Sequence, residues 1–249
     1  MSTTQQSLEL NHVHIMDGLA GIQCLINQGH HNDILIITDP PFNIGYHYGS
    51  YTDRIPQDEY LQRLNTLLDN PTVMINQPET IHQLSVTHGE APERVVSWVY
   101  NTNNRRQHRD IAYYGITPDM KRVRQPYKNP TDKRVRKLIE NGSHGSAVYD
   151  WWEIQQVKNI SKDKTRHPCQ MPLEVMMRTL GVLPSEYDDH IIVDPFSGSG
   201  TTLIAAQRLG YRFIGFDIDP EYVSISNNRI EKDKGTPMNS GLKQSYIIR

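Results

Sequence analysis

Ile191-Ile192-Val193-Asp194-Pro195-Phe196-Ser197-Gly198-Ser199-Gly200-Thr201-Thr202 is the stretch that decides how the chain folds. Its short β-branched run reads as a buried parallel strand, and the glycines after it let the backbone approach a ligand closely before a helix begins. Thr201 and Thr202 offer capping hydroxyls, Leu203, Ile204, Ala206 and Leu209 give that helix an apolar face, and Gly210 is a natural stop. A second strand, Arg212-Phe213-Ile214-Gly215-Phe216, ends on Asp217, a carboxylate spaced to grip ribose hydroxyls after a nucleotide-binding glycine loop. Strand, glycine turn, helix, strand and acid make one βαβ unit.

Which ligand the loop takes can be narrowed on the letters. A P-loop needs a Lys after its last glycine, and Thr201 follows Gly200. A dinucleotide loop has a third glycine where Thr202-Leu203 stand. A nucleoside-type cofactor remains, beside the plain reading of a tight turn.

Working outward, Asp33-Ile34-Leu35-Ile36-Ile37-Thr38 reads as another buried strand, which delivers Asp39 to its C-terminal end, where ligands bind in open α/β sheets. Asp39-Pro40-Pro41-Phe42 follows; two prolines fix φ and remove two N–H donors, so this backbone is stiff and offers carbonyls. Taken alone, it could equally be a turn that closes a strand. Between these regions lies Lys164-Thr165-Arg166-His167-Pro168-Cys169-Gln170-Met171-Pro172, where Pro172 opens a helix with Leu173, Met176, Met177 and Leu180 facing inward.

Asp39 to Phe42 resembles the DPPY-type catalytic tetrapeptide of S-adenosylmethionine-dependent amino methyltransferases that act on DNA bases, and Phe196 to Gly200 resembles their FxGxG cofactor loop. With the catalytic segment first and the cofactor segment last, the chain resembles the circularly permuted β class of this family from about Leu10 to about Ile230. His167 to Pro172 resembles its HP-x-x-x-P block, with Met171 in place of the usual Lys. The implied fold is a doubly wound α/β domain with a mostly parallel, Rossmann-like sheet and a small basic insertion. Its expected parts are a methyltransferase domain over 10–232, with a catalytic half at 10–117, a target-recognition insertion at 118–150 and a cofactor half at 160–232, then a flexible tail at 233–249.

The resemblance also implies chemistry. S-adenosylmethionine is the expected cofactor, S-adenosylhomocysteine the product, and double-stranded DNA the partner; a homodimer is implied because β-class relatives often pair. Asp39 and the Pro40 carbonyl would accept the hydrogens of the target amine and favour a pyramidal nitrogen, with Pro41 stiffening the turn. Phe42 would stack on a base swung out of the duplex. The cofactor would lie among Asp39, His167, Pro168, Asp194, Pro195, Phe196, Ser197, Gly198, Ser199, Gly200, Thr201, Thr202 and Asp217. Asp17 aligns with the acid of the family's GD segment, although Met16 replaces the glycine; a helix N-cap accounts for Asp17 equally well. An aspartate at the head of the tetrapeptide favours adenine N6, SPPY being the form associated with cytosine N4. A non-catalytic DNA-binding relative would be expected to have lost Asp39, Phe42 or Gly198.

Two other features are less than they look. Pro168-Cys169-Gln170 resembles the nucleophile segment of cytosine-C5 methyltransferases, but it precedes the glycine loop instead of following it, so Cys169 reads as a wall residue. His12 with His14 and His30 with His31 lack the Cys or clustered carboxylates that would complete a metal site, and none is expected. With no charged leader, no apolar run near 18 residues and only Cys24 besides Cys169, the expectation is a cytoplasmic protein with no membrane contact.

The net charge of -2 over 249 residues conceals a division. Twelve Lys and Arg face three Asp between Arg94 and Lys137, a local +9, so the remaining 14 basic and 25 acidic residues leave -11. Arg105, Arg106, Arg109, Lys121, Arg122, Arg124, Lys128, Lys133, Arg134 and Arg136 are expected to meet DNA, because a basic tract on an acidic body is the footprint of a phosphate-backbone partner.

Overall fold

The computed structural model describes residues 8–46, 51–103, 105–158, 161, 164–238, 240 and 246–247. In chain order the elements are β1 (His12–Ile15), α1 (Gly18–Asn27), β2 (Ile34–Thr38), α2 (Gln57–Asn65), β3 (Thr72–Asn76), α3 (Pro78–His88), β4 (Arg94–Val99) and β5 (His108–Tyr114). They continue with β6 (Val123–Gln125), α4 (Lys133–Glu140), β7 (Ser146–Ala147), β8 (Trp151–Glu153) and α5 (Leu173–Gly181). The late part holds β9 (Ile191–Asp194), α6 (Thr201–Leu209), β10 (Arg212–Asp217), α7 (Pro220–Asp233) and β11 (Tyr246–Ile247).

Eight strands form one sheet in the order β1-β10-β9-β2-β3-β5-β4-β8, with β5 antiparallel to both of its neighbours and the other pairings parallel. The central strands are apolar throughout because both faces are covered. Alternation sends Ile34 and Ile36 of β2 into a core with α1, α2 and α3, and Leu35 and Ile37 into a second core with α5, α6 and α7. β9 divides in the same way, Ile191 and Val193 to the first core and Ile192 to the second. This is the doubly wound, mostly parallel sheet expected from the sequence. Among the described residues no helix is long and apolar enough to cross a membrane.

The stretch between β5 and β8 contributes β6, α4 and β7, and β6 and β7 form a separate three-stranded sheet with β11 from the tail, in the order β11-β6-β7. The tail departs from the expected flexible run, because Tyr246 and Ile247 pair antiparallel with Arg124 and Val123. The strand contains too few apolar letters for its pairing to show in the sequence; 241–245 and 248–249 lie outside the described residues.

Close approach rather than propensity explains Gly18 at the head of α1. A Cβ there would lie 2.2 Å from the Pro195 carbonyl oxygen and 2.5 Å from the Pro195 Cβ, so the helix can touch the glycine-rich loop only without a side chain. Gly18→Ala is therefore expected to push α1 off that loop and cost about 1–3 kcal/mol of stability. Urea unfolding measures this; an unchanged midpoint would mean that the contact yields freely.

Candidate active site

Parallel pairing of β2 with β9, Ile34 opposite Ile191 and Ile36 opposite Val193, brings their C-terminal ends together. Asp39 and Asp194 leave the sheet side by side. Asp194 is buried and accepts from the Phe196 N–H at 3.1 Å and the Thr38 hydroxyl at 3.4 Å. Burial pushes its carboxyl up to about 7, partly countered by the Thr202 hydroxyl and the Phe196 N–H, while Asp39 adds repulsion. Burial likewise pushes Asp39 up to about 6, against the pull of Arg109. One Asp39 oxygen, Oδ2, lies 3.5 Å from Arg109 Nη1; the other, Oδ1, is buried with no hydrogen-bond partner.

The turn after Asp39 is held by contacts that the sequence does not announce. Buried Asn76 donates to the Tyr60 hydroxyl at 2.9 Å, and Tyr60 donates to the Pro41 carbonyl at 2.7 Å. Asp53, 2% exposed, takes the backbone N–H groups of Asn43 at 2.7 Å, Ile44 at 3.2 Å and Tyr46 at 2.9 Å. Asn43 sits at φ 58° and exchanges two hydrogen bonds with Ile55, at 2.8 and 3.0 Å. Charge-assisted bonds of this kind are roughly twice as strong as neutral ones and order the loop.

The glycine loop is gripped from β10 and α7. Asp217 accepts from the Gly198 N–H and the Asp219 N–H, both at 2.9 Å, and its carboxyl is raised by burial. Ser226 donates to the Gly198 carbonyl at 2.7 Å, and Arg229 donates to the Ser199 carbonyl and, at 3.2 Å, to Thr201 Oγ1. Thr201 and Thr202 are not the caps expected of them. Gly200, at φ 76°, occupies the N-cap, which frees the two hydroxyls for Arg229 and Asp194. Gly210 does end α6 in the left-handed conformation. His167 packs edge-on against Tyr222 with ring centroids 4.5 Å apart. Burial, then the charges of Lys164 and Arg229, hold His167 down to about 4, and its Nδ1 is buried without a partner.

These segments enclose a cavity of about 340 Å³. Asp39, Pro40, Pro41 and Phe42 line it together with Asp17, Pro195, Phe196, Gly198, His167 and Asp217. Asp17, which lines the cavity, also caps α1, its carboxylate accepting from the Leu19 and Ala20 N–H groups, each at 3.1 Å. Asp194, Ser197, Ser199, Thr201 and Thr202 border a recess of about 40 Å³ that shares Asp39, His167 and Gly198 with the larger cavity. Pro168 and Gly200 line neither; the Pro168 carbonyl accepts from Lys164 at 3.2 Å, and Gly200 lies against Ser226. Sequence reasoning missed Ile44, Tyr46, Tyr51, Tyr60, Ile218, Asp219 and Tyr222 as cavity residues. Ile218, Asp219 and Tyr222 follow Asp217 closely, and that adjacency was the available signal.

The basic tract divides. Arg109, on β5, lines the cavity, with its guanidinium 4.5 Å from the Phe42 ring centroid. Arg122 reaches both oxygens of Asp188 through Nη2, at 2.9 and 3.3 Å. Arg106 pairs with Glu79 at 2.7 Å on the surface. Lys121, Lys128, Lys133, Arg134, Arg136 and Arg105 are exposed, and Arg124 is half-buried on β6. No residue of α4 is buried. Cys169 is a cavity wall residue, and among the described residues no three His, Cys, Asp or Glu gather closely enough to hold a metal ion.

A sequence model of the DNA methylase family, covering N6 and N4 enzymes, matches residues 76–228, which include the His167 block and the glycine loop; Asp39 to Phe42 lie ahead of it. The type II methyltransferase M.HpaI of Haemophilus parainfluenzae is 26% identical over 236 residues, covering 85% of this chain and 72% of that protein. M2.DpnII of Streptococcus pneumoniae is 36% identical over 110 residues, 42% of this chain and 40% of that protein. Among solved structures, the M1.HpyAVI–SAM complex matches with a TM-score of 0.53 at 20% identity, over 88% of this chain and 98% of the other. The cytosine-N4-specific PvuII DNA methyltransferase matches with a TM-score of 0.58 at 14% identity, over 91% and 92%. On the family match over most of its length, the chain belongs to the N6/N4 DNA methylase family of S-adenosylmethionine-dependent amino methyltransferases.

Proposed function

We propose that this protein transfers a methyl group to the exocyclic N6 of adenine in double-stranded DNA, by direct attack of the amine of a flipped-out base. One observation carries the reading: a carboxylate oxygen, Asp39 Oδ1, is buried without a partner, and Asp39 lines a cavity together with Phe42 and the glycine loop. A buried acceptor left unpaired costs free energy in the empty protein and gains its bond only when a donor arrives. The amine hydrogens of a base are such donors. Asp39 takes one and the Pro40 carbonyl the other, which draws the nitrogen lone pair out of conjugation with the ring. Phe42 offers the face on which the base stacks.

Other lining residues suit a nucleoside cofactor. Asp217 keeps acceptor capacity beyond the bonds it takes from the Gly198, Ile218 and Asp219 N–H groups, and it stands on the cavity wall with Ile218 and Tyr222. S-adenosylmethionine supplies an electrophilic sulfonium methyl. Cys169 has no part in this chemistry, because an amine nucleophile needs no covalent enzyme adduct. Adenine is preferred to cytosine because an aspartate heads the tetrapeptide. Asp39, Phe42 and Gly198 all line one cavity, which argues against a relative that only binds DNA.

Exposed α4 and the neighbouring second sheet are the proposed DNA-facing unit. Lys133, Arg134 and Arg136 stand clear of the core at the start of a helix with no buried side chain.

Asp39→Ala is expected to abolish methyl transfer while leaving S-adenosylmethionine affinity near parental. Labelled methyl transfer to genomic DNA, digested to nucleosides, reads both the loss and the base. N4-methylcytosine as the product would replace the adenine assignment, and near-normal turnover in the variant would remove Asp39 from the chemistry. Replacing Lys133, Arg134 and Arg136 with Gln should flatten the dependence of log affinity on log salt by roughly one unit per lost phosphate contact. A parental slope would make α4 a solvated face and no more.

A further inference from the structure

Arg109 does not behave like the structural arginines of this protein. Arg122 grips Asp188 at 2.9 and 3.3 Å, Arg208 grips Asp233 at 2.6 and 2.8 Å, and Arg178 meets Glu174 at 2.8 Å. Each of them has a contact of 2.9 Å or less to its carboxylate, Arg208 through two nitrogens and Arg122 and Arg178 through one. Arg109 instead reaches Asp39 Oδ2 through one long contact of 3.5 Å and Met171 Sδ at 3.7 Å. Its guanidinium lies between two rings, 4.5 Å from the Phe42 centroid and 5.4 Å from that of Trp98, with 17% of the side chain exposed. A planar cation stacked on a ring is held by the ring quadrupole, and Trp98 lies directly across the strand pair from Arg109. The charge thus steers one carboxylate oxygen without saturating it, and leaves the other oxygen unpaired.

We propose that Arg109 is a positioning residue for methyl transfer, whose single guanidinium holds the Phe42 ring and the ionised Asp39 carboxylate in one arrangement before the base arrives. The assignment rests on the role given to Asp39 above. Stacking on Phe42 fixes the orientation of the platform, and the charge beside Asp39 favours the form that can only accept.

Electrostatics gives this a measurable consequence. The groups facing Asp39 are Arg109 from β5, Asp194 from the end of β9, Tyr60 from α2, and His167 with Cys169 from the segment before α5. Burial opposes ionisation of Asp39, and of these groups Arg109 is the one whose charge favours it. Asp39 is already pushed up to about 6, so its acceptor form is lost as pH falls through that value. Removing Arg109 raises it further, and the loss then begins at higher pH.

The test compares full-length Arg109→Gln, Arg109→Lys and Asp39→Asn, measuring kcat/KM for methylation of genomic DNA against pH, KM for DNA, and S-adenosylmethionine affinity. The acid limb of kcat/KM reports groups of the free enzyme. Arg109→Gln should move that limb upward by about one pH unit with donor affinity unchanged. Arg109→Lys should restore the limb, because a charge is back, yet raise KM for DNA severalfold, because an ammonium lacks the planar face that holds Phe42. A parental limb in Arg109→Gln, alongside an inactive Asp39→Asn, overturns the Arg109 assignment alone. Retained activity in Asp39→Asn overturns the Asp39 reading and takes this one with it. Should the Gln variant not fold, a parental KM for DNA in Arg109→Lys overturns the proposal on its own.

Discussion

The hydrogen-bonded register between β2 and β9 is the constraint on which the site depends. These strands are far apart in the chain, and each ends in a short polar turn. Because they run parallel and adjacent, both turns open on the same edge of the sheet. Asp39 and Asp194 are thereby forced into a low-dielectric corner together, and both carboxyls are raised by burial. For Asp194 the surroundings compensate with two threonine hydroxyls and a backbone N–H. For Asp39 they compensate incompletely, with one distant guanidinium. This difference between neighbours separates a carboxylate tied to its own loop from one that keeps an unpaired oxygen.

Around that corner, two loops that could wander are held by side chains from elsewhere. Asp53 gathers three backbone N–H groups after Phe42, and Ser226 with Arg229 hold two carbonyls of the glycine loop from α7. In both cases a polar side chain from a neighbouring segment takes up backbone groups that the turn cannot pair for itself, which lets irregular backbone stay ordered near a cavity.

Much of this was legible in the letters, and the gaps have a common cause. Ile34 to Thr38, Ile191 to Val193 and Arg212 to Phe216 announced themselves because strands covered on both faces must be apolar at nearly every position. Asp39, Gly198 and Asp217 were found because their turns are local. Asp53, Tyr60 and Asn76 were not, since what makes them matter is a bond across space to Asn43, Ile44, Tyr46 or Pro41. Charge counting did not show that Arg109 pairs with Asp39 or Arg122 with Asp188 for the same reason: it sums a tract without knowing which side chains turn inward. Thr201 and Thr202 have the right chemistry for a cap, but Asp194 and Arg229 compete for their hydroxyls.

The reversed direction of β5 has its own consequence. Parallel strands present their last residues to the ligand edge, and from there irregular loops carry side chains inward. A strand running the other way presents its first residues there, while still paired on both sides: Asp110 stands opposite Asn76 on β3 and Ser97 on β4, and Arg109 opposite Trp98. Arg109 therefore reaches Asp39 from a rung of the ladder. Slipping that ladder by one residue would exchange the faces of β5 and bring Asp110 to the place of Arg109, setting carboxylate against carboxylate. Strand register here is also an electrostatic instruction, enforced at the one position where a misaligned sheet would be repelled by its own cavity.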